Sequence, residues 1–446
     1  MTVAGKERGQ EAQRVAAMQY SRQAPSPSAK YMTKTEIMQA AYRAWGREFY
    51  SRTSLSSVAS ELGVCKPALY RHFFNKNALF EAMNRQFFDD FSGFIRADYE
   101  KALNVEDKTE SIFILIRSVA EFFARDVNNF IFSMMRLHDH EPGSFNMLEE
   151  LRKRGTDFSC FLQSISKAYT FEPLLMRLVF STLTFCMAGF HMKGKTLQNP
   201  PPETAILEIT NRIKKIIGKG LGYSSGELDS IDYEALENRI KGTAANIKDD
   251  PLLKAVAGAV AEAGPWEASM EQVARRSGLS KSSLYCHFKS KQDMLRQLFT
   301  TEFLRIIDFA KQGIARSELP VVQIYLGIYS IAEYLVSKPD ILVALDWIRN
   351  RRLNLQPPED KKPPKEFLWL FEDIDILPLK NSESPFRGMS PEEEGENFII
   401  SPWILFLIVK TLMRNKQGPS PWKLSNHDMR ILFRFIALGI NGFKNE

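Results

Sequence analysis

Residues 53–80 read TSLSSVASELGVCKPALYRHFFNKNALF, and residues 268–295 read ASMEQVARRSGLSKSSLYCHFKSKQDML. One offset of 215 residues aligns them without a gap, and ten of the 28 positions are identical. The shared residues are Ser54/Ser269, Val58/Val273, Ala59/Ala274, Gly63/Gly278, Lys66/Lys281, Leu69/Leu284, Tyr70/Tyr285, His72/His287, Phe73/Phe288 and Lys76/Lys291. A repeat this long is a duplicated domain, since solenoid periods run to about 20–50 residues.

Each copy reads as a small helical unit. Ile37, Ala40, Ala41, Ala44 and Trp45 line one face of a helix, and Leu55, Val58, Ala59 and Leu62 line a second. Gly63 ends the second helix, because glycine accepts the left-handed conformation of a tight turn. Leu69 and Phe73 mark the inner face of a short third helix. In the other copy Leu253, Val256, Ala257 and Val260 line the first helix, and Gly264-Pro265 breaks it. Ser269 and Gln272 have capping-box spacing for the next helix, Met270, Val273 and Ala274 face inward, and Gly278 makes the turn. Two short helices joined at a glycine turn form the helix-turn-helix pattern.

Outward from these heads the chain stays helical. Residues 77–102 and 292–316 each predict one long connecting helix. Apolar stretches at 113–135, 174–192 and 206–217 have counterparts at 321–348, 399–413 and 429–440, each predicting a buried helix. Ala120-Glu121-Phe122 resembles Ala332-Glu333-Tyr334, and no stretch alternates as a strand would. The expected class is all-α. Its parts are a disordered basic arm at 1–31, a first head at 32–80 with a helical body at 81–220, a linker at 221–248, and a second head at 249–296 with a body at 297–446. Residues 356–396 form an irregular insertion with seven prolines.

Composition narrows the function. The net charge of the 446-residue chain is +6, so any basic surface is local. Residues 31–80 carry seven bases against three acids, and residues 250–296 carry seven against five. The four cysteines, Cys65, Cys160, Cys186 and Cys286, form no CxxC pair, which fits a reducing compartment and no zinc ribbon. The N-terminus lacks a signal-peptide core, and the apolar run at 403–409 is far shorter than the ~20 residues of a membrane span. A cytoplasmic protein without membrane contact is expected.

On the third helix, Lys66, Tyr70, Arg71 and Lys76 in one copy and Lys281, Tyr285 and Lys291 in the other exceed what a core can hold. Lysine supplies point charges for phosphates, and tyrosine hydroxyls donate to phosphate oxygens or lie against bases. The pattern Leu-Tyr-x-His-Phe-x-x-Lys after a helix-turn glycine resembles the TetR family of transcriptional regulators, specifically over residues 33–80 and 250–296. The resemblance implies three-helix DNA-binding heads, helical regulatory bodies that take a small hydrophobic effector, and double-stranded DNA as partner. It places Tyr70, His72 and Lys76, with Tyr285, His287 and Lys291, beside the phosphate backbone. Ser54 and Ser269, at the starts of the second helices, join the DNA-contact set, while Lys66-Pro67-Ala68 and Lys281-Ser282-Ser283 read bases. Where the family usually has a glycine before its second helix, this chain has Phe49 in one copy and Gly264 in the other; at the N-cap of the third helix it has Cys65 and Ser280. Family members act as homodimers on palindromes. Two heads in one chain imply an intramolecular pseudo-dimer, joined through helices at about 174–217 and 399–440, on an operator with unequal half-sites. Whether two such chains pair again stays open.

Other residues invite sharper readings. His72 and His287 have no triad-like neighbours, so no enzyme, metal or cofactor is expected. His138-Asp139-His140 lacks the third and fourth ligands of a metal site. Cys65 and Cys286 lie at or near the reading helices, close to lysines, which admits a redox role beside a packing one. Phe113, Phe122, Phe123 and Phe185 are candidates to line an effector pocket, although aromatic stripes at helical spacing usually mark core. The rival to a regulator is an interaction scaffold whose heads have lost DNA binding.

Overall fold

The computed structural model describes residues 33–47, 54–138, 147–170, 173–193, 201–265, 267–352, 400–414 and 422–445. The N-terminal arm, Phe49, the Asp139-His140 pair and the proline-rich insertion lie outside the described residues. The described residues are helical, apart from turns and one isolated bridge between Tyr169 and Lys444.

The first half begins with α1 (Lys34–Arg47), α2 (Leu55–Leu62) and α3 (Lys66–Tyr70). The connecting helix α4 (Lys76–Asn104) follows, then α5 (Lys108–Arg125), α6 (Val127–His138), α7 (Met147–Lys153), α8 (Phe158–Ile165), α9 (Pro173–Lys193) and α10 (Glu203–Lys219). The joint holds α11 (Ser225–Asp229), α12 (Tyr233–Ile240) and a short 3-10 turn at Thr243–Asn246. The second half repeats the plan: α13 (Pro251–Ala263), α14 (Met270–Ser277), α15 (Lys281–His287), the connecting helix α16 (Lys291–Ile314), α17 (Pro320–Ser337), α18 (Pro339–Arg352), α19 (Ile400–Arg414) and α20 (Asn426–Leu438).

Two expected single helices are each broken in two. The stretch at 113–135 divides at Asp126, whose backbone is extended and whose carboxylate accepts from Asn128 N at 2.8 Å. That contact offers the chain a local alternative to continuing the helix. The stretch at 321–348 divides at Lys338-Pro339, because proline removes an N–H and disfavours the α conformation of the residue before it. The break has a use in each half: α1 packs on α6, and α13 packs on α18, so each head rests on the second helix of its own body.

The joint is a folded element. Leu228, Glu237, Ile240 and Ala244 are buried, and α12 lies on α17. Gly242 N donates to Glu333 at 2.6 Å, and Arg316 donates to the Arg239 carbonyl at 2.6 Å. A chain that reads as a charged linker is thus held along its length by the second body.

The two halves share one continuous apolar core. Helix α9 packs on α19 and α20, and α10 packs on α20. At their centre Trp403 Nε1 donates to Thr182 Oγ1 at 3.1 Å, with both side chains buried, and the rings of Phe185 and Phe406 lie 5.4 Å apart. Leu221 N donates to Ile436 O at 2.8 Å, and Gly222 N to Ala437 O at 3.0 Å. Two glycines meet reciprocally there. A Cβ on Gly220 would lie 2.7 Å from Gly439 N and closer still to Ile436 O; a Cβ on Gly439 would lie 2.6 Å from Gly218 C and closer still to Ile217 O. The last residues of the chain also return to the first half, with Thr170 N bonded to Phe443 O at 2.8 Å and Asn445 N to Ala168 O at 2.9 Å. Helix α9, between Pro173 and His191, is long and apolar enough to cross a membrane, a stretch that the comparison of 403–409 with a membrane span left out. In this fold its position in the seam accounts for that composition, and 61% of the stretch is buried inside the protein.

Candidate nucleic-acid interface

The two heads build the same outer face by nearly the same means. In the first, Ser54 caps α2 through a reciprocal box with Ser57, in which Ser57 N donates to Ser54 Oγ at 3.1 Å. Gly63 then turns the chain at φ 66°. In the second, Ser269 and Gln272 form the expected box, and Gly278 turns at φ 71°. Each cap satisfies N–H groups that a helix start leaves free. Leu69 and Leu284 are fully buried under their third helices, and Phe73 and Phe288 seal the ends.

That anchoring turns the opposite face outward. Lys66, Pro67, Tyr70 and Arg71 are exposed on or just after α3; Lys281, Ser282, Tyr285 and His287 are exposed on α15. Tyr70 and Tyr285 are almost equally accessible, at 47% and 49%. Lys66 Nζ stands 5.8 Å from the Tyr70 ring centre, a cation–π geometry that orients both. Ala68, His72, Lys76, Ser283 and Lys291 are half-buried beside them. Partial burial pulls the Lys76 ammonium below its ordinary pKa. Ser54 and Ser269 have their hydroxyls engaged in the caps of the second helices.

The copies differ in detail. Cys65 makes no side-chain bond at the start of α3, whereas Ser280 accepts from Ser283 N at 3.0 Å and its hydroxyl meets that of Ser283 at 2.8 Å. Ser283 therefore serves its own helix as well as the outer face. Head one ties α1 to α2 through Arg43–Glu61 at 3.1 Å, and head two ties α13 to α14 through Glu262–Arg276 at 2.6 Å. Glu61 and Arg276 are equivalent under the 215-residue offset, so the tie starts from the same place on the second helix with opposite charge, while its partners, Arg43 and Glu262, stand four positions apart on the first helix. Phe74 is 84% exposed at the position of Lys289. Sequence reasoning passed over it, although an aromatic opposite a lysine in otherwise matched copies was the available signal. Gly264 runs at φ 81°, and a Cβ there would meet the Trp347 ring at 3.3 Å, so turn geometry and contact with the body both call for glycine.

The sequence pattern of bacterial regulatory proteins of the tetR family matches the chain twice, over residues 37–83 and 252–298. Both heads are TetR-family domains. The match covers the heads alone, so the chain carries two TetR-like DNA-binding domains in tandem within an all-α fold. Among solved structures it is similar to the fatty acid degradation regulator FadR from Bacillus halodurans, at 16% identity over 41% of this chain and 97% of that one, with a TM-score of 0.29. It is also similar to the TetR family transcriptional regulator PfmR from Thermus thermophilus, at 21% identity over 40% of this chain and 96% of that one, with a TM-score of 0.29.

Outside the TetR heads, the other singled-out residues are placed as follows. All four cysteines are free; Cys65, Cys160 and Cys286 are exposed, and burial pushes the Cys186 thiol up to about 12. Among the described residues no group of three or more His, Cys, Asp or Glu side chains gathers to hold a metal. Phe122 and Phe123 are buried in ring contact with each other and with Phe91. Phe113 lies under Lys214, whose Nζ is 5.1 Å from the ring centre, and Phe185 is in the seam between the halves.

Proposed function

We propose that this protein is a sequence-specific DNA-binding regulator that works as a single-chain pseudo-dimer, silencing transcription until a small hydrophobic effector releases it. The observation that carries the reading is the reciprocal contact of Gly220 and Gly439 at equivalent helix ends, because a two-fold interface brings the same patch of each partner together. It supports pairing of the two halves as two subunits would pair, each presenting one head. Tyr70, Arg71, His72 and Lys76, with Tyr285, His287 and Lys291, grip the phosphates, and Lys66 and Lys281, which open the base-reading stretches, add their charge to that grip. Pro67 and Ala68 in one head and Ser282 and Ser283 in the other touch base edges, with Ser54 and Ser269 at the margin. Because these sets differ, the operator has unequal halves. The effector acts in the bodies, among rings such as Phe113, Phe122, Phe123 and Phe185, and α4 and α16 carry the change to the heads. Such coupling requires the effector to bind one head spacing better than the other. The site of action is the cytoplasm.

Selection from a random DNA pool tests this reading. An asymmetric consensus with two distinct half-sites is expected, and a perfect palindrome refutes the unequal-heads reading. A salt titration of binding to random DNA separates a regulator from a scaffold. Phosphate contacts from two heads give a steep fall in affinity with salt, whereas no binding at low salt refutes the regulator reading.

A further inference from the structure

Glu237 lies on the joint helix α12 and is 1% exposed. Its Oε1 accepts from Tyr325 Oη at 2.5 Å and from Arg430 Nε at 2.7 Å. Its Oε2 accepts from Asn426 Nδ2 at 2.6 Å and from Arg430 Nη2 at 2.7 Å. All four donors come from the second body, on α17 and α20. They are also braced from outside: Tyr329 Oη donates to Asn426 Oδ1 at 3.0 Å, which turns the amide nitrogen toward Glu237. The Tyr233 ring lies 5.4 Å from the Arg430 guanidinium and edge-on to Tyr325 at 4.9 Å. Bidentate arginine, amide and phenol directed at one pair of oxygens is the chemistry that recognises a free carboxylate.

We propose that Tyr325, Asn426 and Arg430 form a carboxylate-binding site in the second body, and that Glu237 fills it as a tethered ligand that latches the joint onto that body. The site belongs to one half only. Aligning Ala332-Glu333-Tyr334 with Ala120-Glu121-Phe122 puts Phe113 at the place of Tyr325 and Arg117 at that of Tyr329, so the phenol is missing from the first body. The chemical class that fits an emptied site is a small monocarboxylate such as acetate or propionate. Stripped of Glu237, the buried Tyr325 hydroxyl would be left with an unmet hydrogen bond, and the Arg430 guanidinium, which is 42% exposed, would supply the charge that draws a free anion in.

The test is chemical rescue in the full chain. Glu237→Ala lowers the thermal unfolding midpoint, and sodium propionate at constant ionic strength restores it along a saturating curve that sodium chloride does not reproduce. The double variant Glu237→Ala with Arg430→Met loses the rescue. Glu237→Gln keeps the site filled and does not respond. If Glu237→Ala fails to fold, recovery of soluble protein on refolding with propionate against chloride replaces the midpoint. The proposal is overturned if propionate is no better than chloride, or if the double variant or Glu237→Gln is rescued equally.

Discussion

Gly220→Ala probes the seam between the halves directly. Gly220 adopts φ 53° and ψ −131°, a region that residues with a Cβ avoid. Holding alanine there costs about 1–3 kcal/mol in backbone strain. The new methyl carbon would also stand 2.7 Å from Gly439 N, with Ile436 O nearer still. Backbone cannot rotate away as a side chain can, so a displacement cost of about 1–3 kcal/mol adds to the strain. The sum is roughly 2–6 kcal/mol, a large share of the about 5–15 kcal/mol that holds a typical domain folded. Two other glycines separate the contributions. Gly242 has φ 78° with nothing within 4 Å of a built Cβ, so Gly242→Ala shows strain alone, about 1–2 kcal/mol. Gly93 is mid-helix in open space, and Gly93→Ala stabilises by about 0.5–1 kcal/mol. Urea unfolding of the full chain reads the series through its midpoints. Hydrogen exchange at the Leu221 amide, which donates to Ile436 O, should accelerate in Gly220→Ala alone. If Gly220→Ala costs no more than Gly242→Ala and leaves that amide protected, the halves do not meet through these glycines.

Further outcomes follow from the heads and the core. Cys65→Ser supplies the missing cap of α3 and stabilises the first head by about 0.5–1 kcal/mol, whereas Ser280→Ala removes the existing cap of α15 and costs about 1 kcal/mol; thermal melts of the two variants should move in opposite directions. Lys66→Ala and Lys281→Ala should each lower the slope of log affinity against log salt by about 1, measured by fluorescence anisotropy on the selected DNA. His191 donates to the Phe123 carbonyl at 2.8 Å, and burial lowers its pKa from 6.5. The unfolded chain therefore binds the extra proton first, and stability falls as pH drops below 6.5 toward the lowered value. His191→Leu should flatten that loss in pH-dependent unfolding.

Local signals in the sequence were read well, and distant ones were not. Capping by Ser269 and Gln272, the turns at Gly63 and Gly278, and the length of both connecting helices follow from residue type over a few positions. The Ser54–Ser57 box escaped because serine in the fourth position is a weaker sign than glutamate or glutamine. The break at Pro339 was legible and was outweighed by continuous apolar spacing on both sides. Glu237 and Arg430 stand 193 positions apart, and nothing in the charged stretch around Glu237 marks it as buried. Which outward side chains sit beside DNA was likewise suggested by residue type and family resemblance rather than by periodicity, since periodicity identifies only the inward face.

The shared core across the seam also bears on mass action. Subunits of an ordinary dimer must find each other, and on dilution they part. Here the partners are covalently joined and packed through α9, α10, α19 and α20, so their encounter is unimolecular. Under the proposed pseudo-dimer, pairing of the heads would be set by folding and indifferent to how many copies a cell holds. On the proposed reading, a regulator built this way would keep both reading surfaces together at a single molecule per cell, and if two chains do not pair again its binding curve would be first order in protein where a dissociating dimer's is steeper.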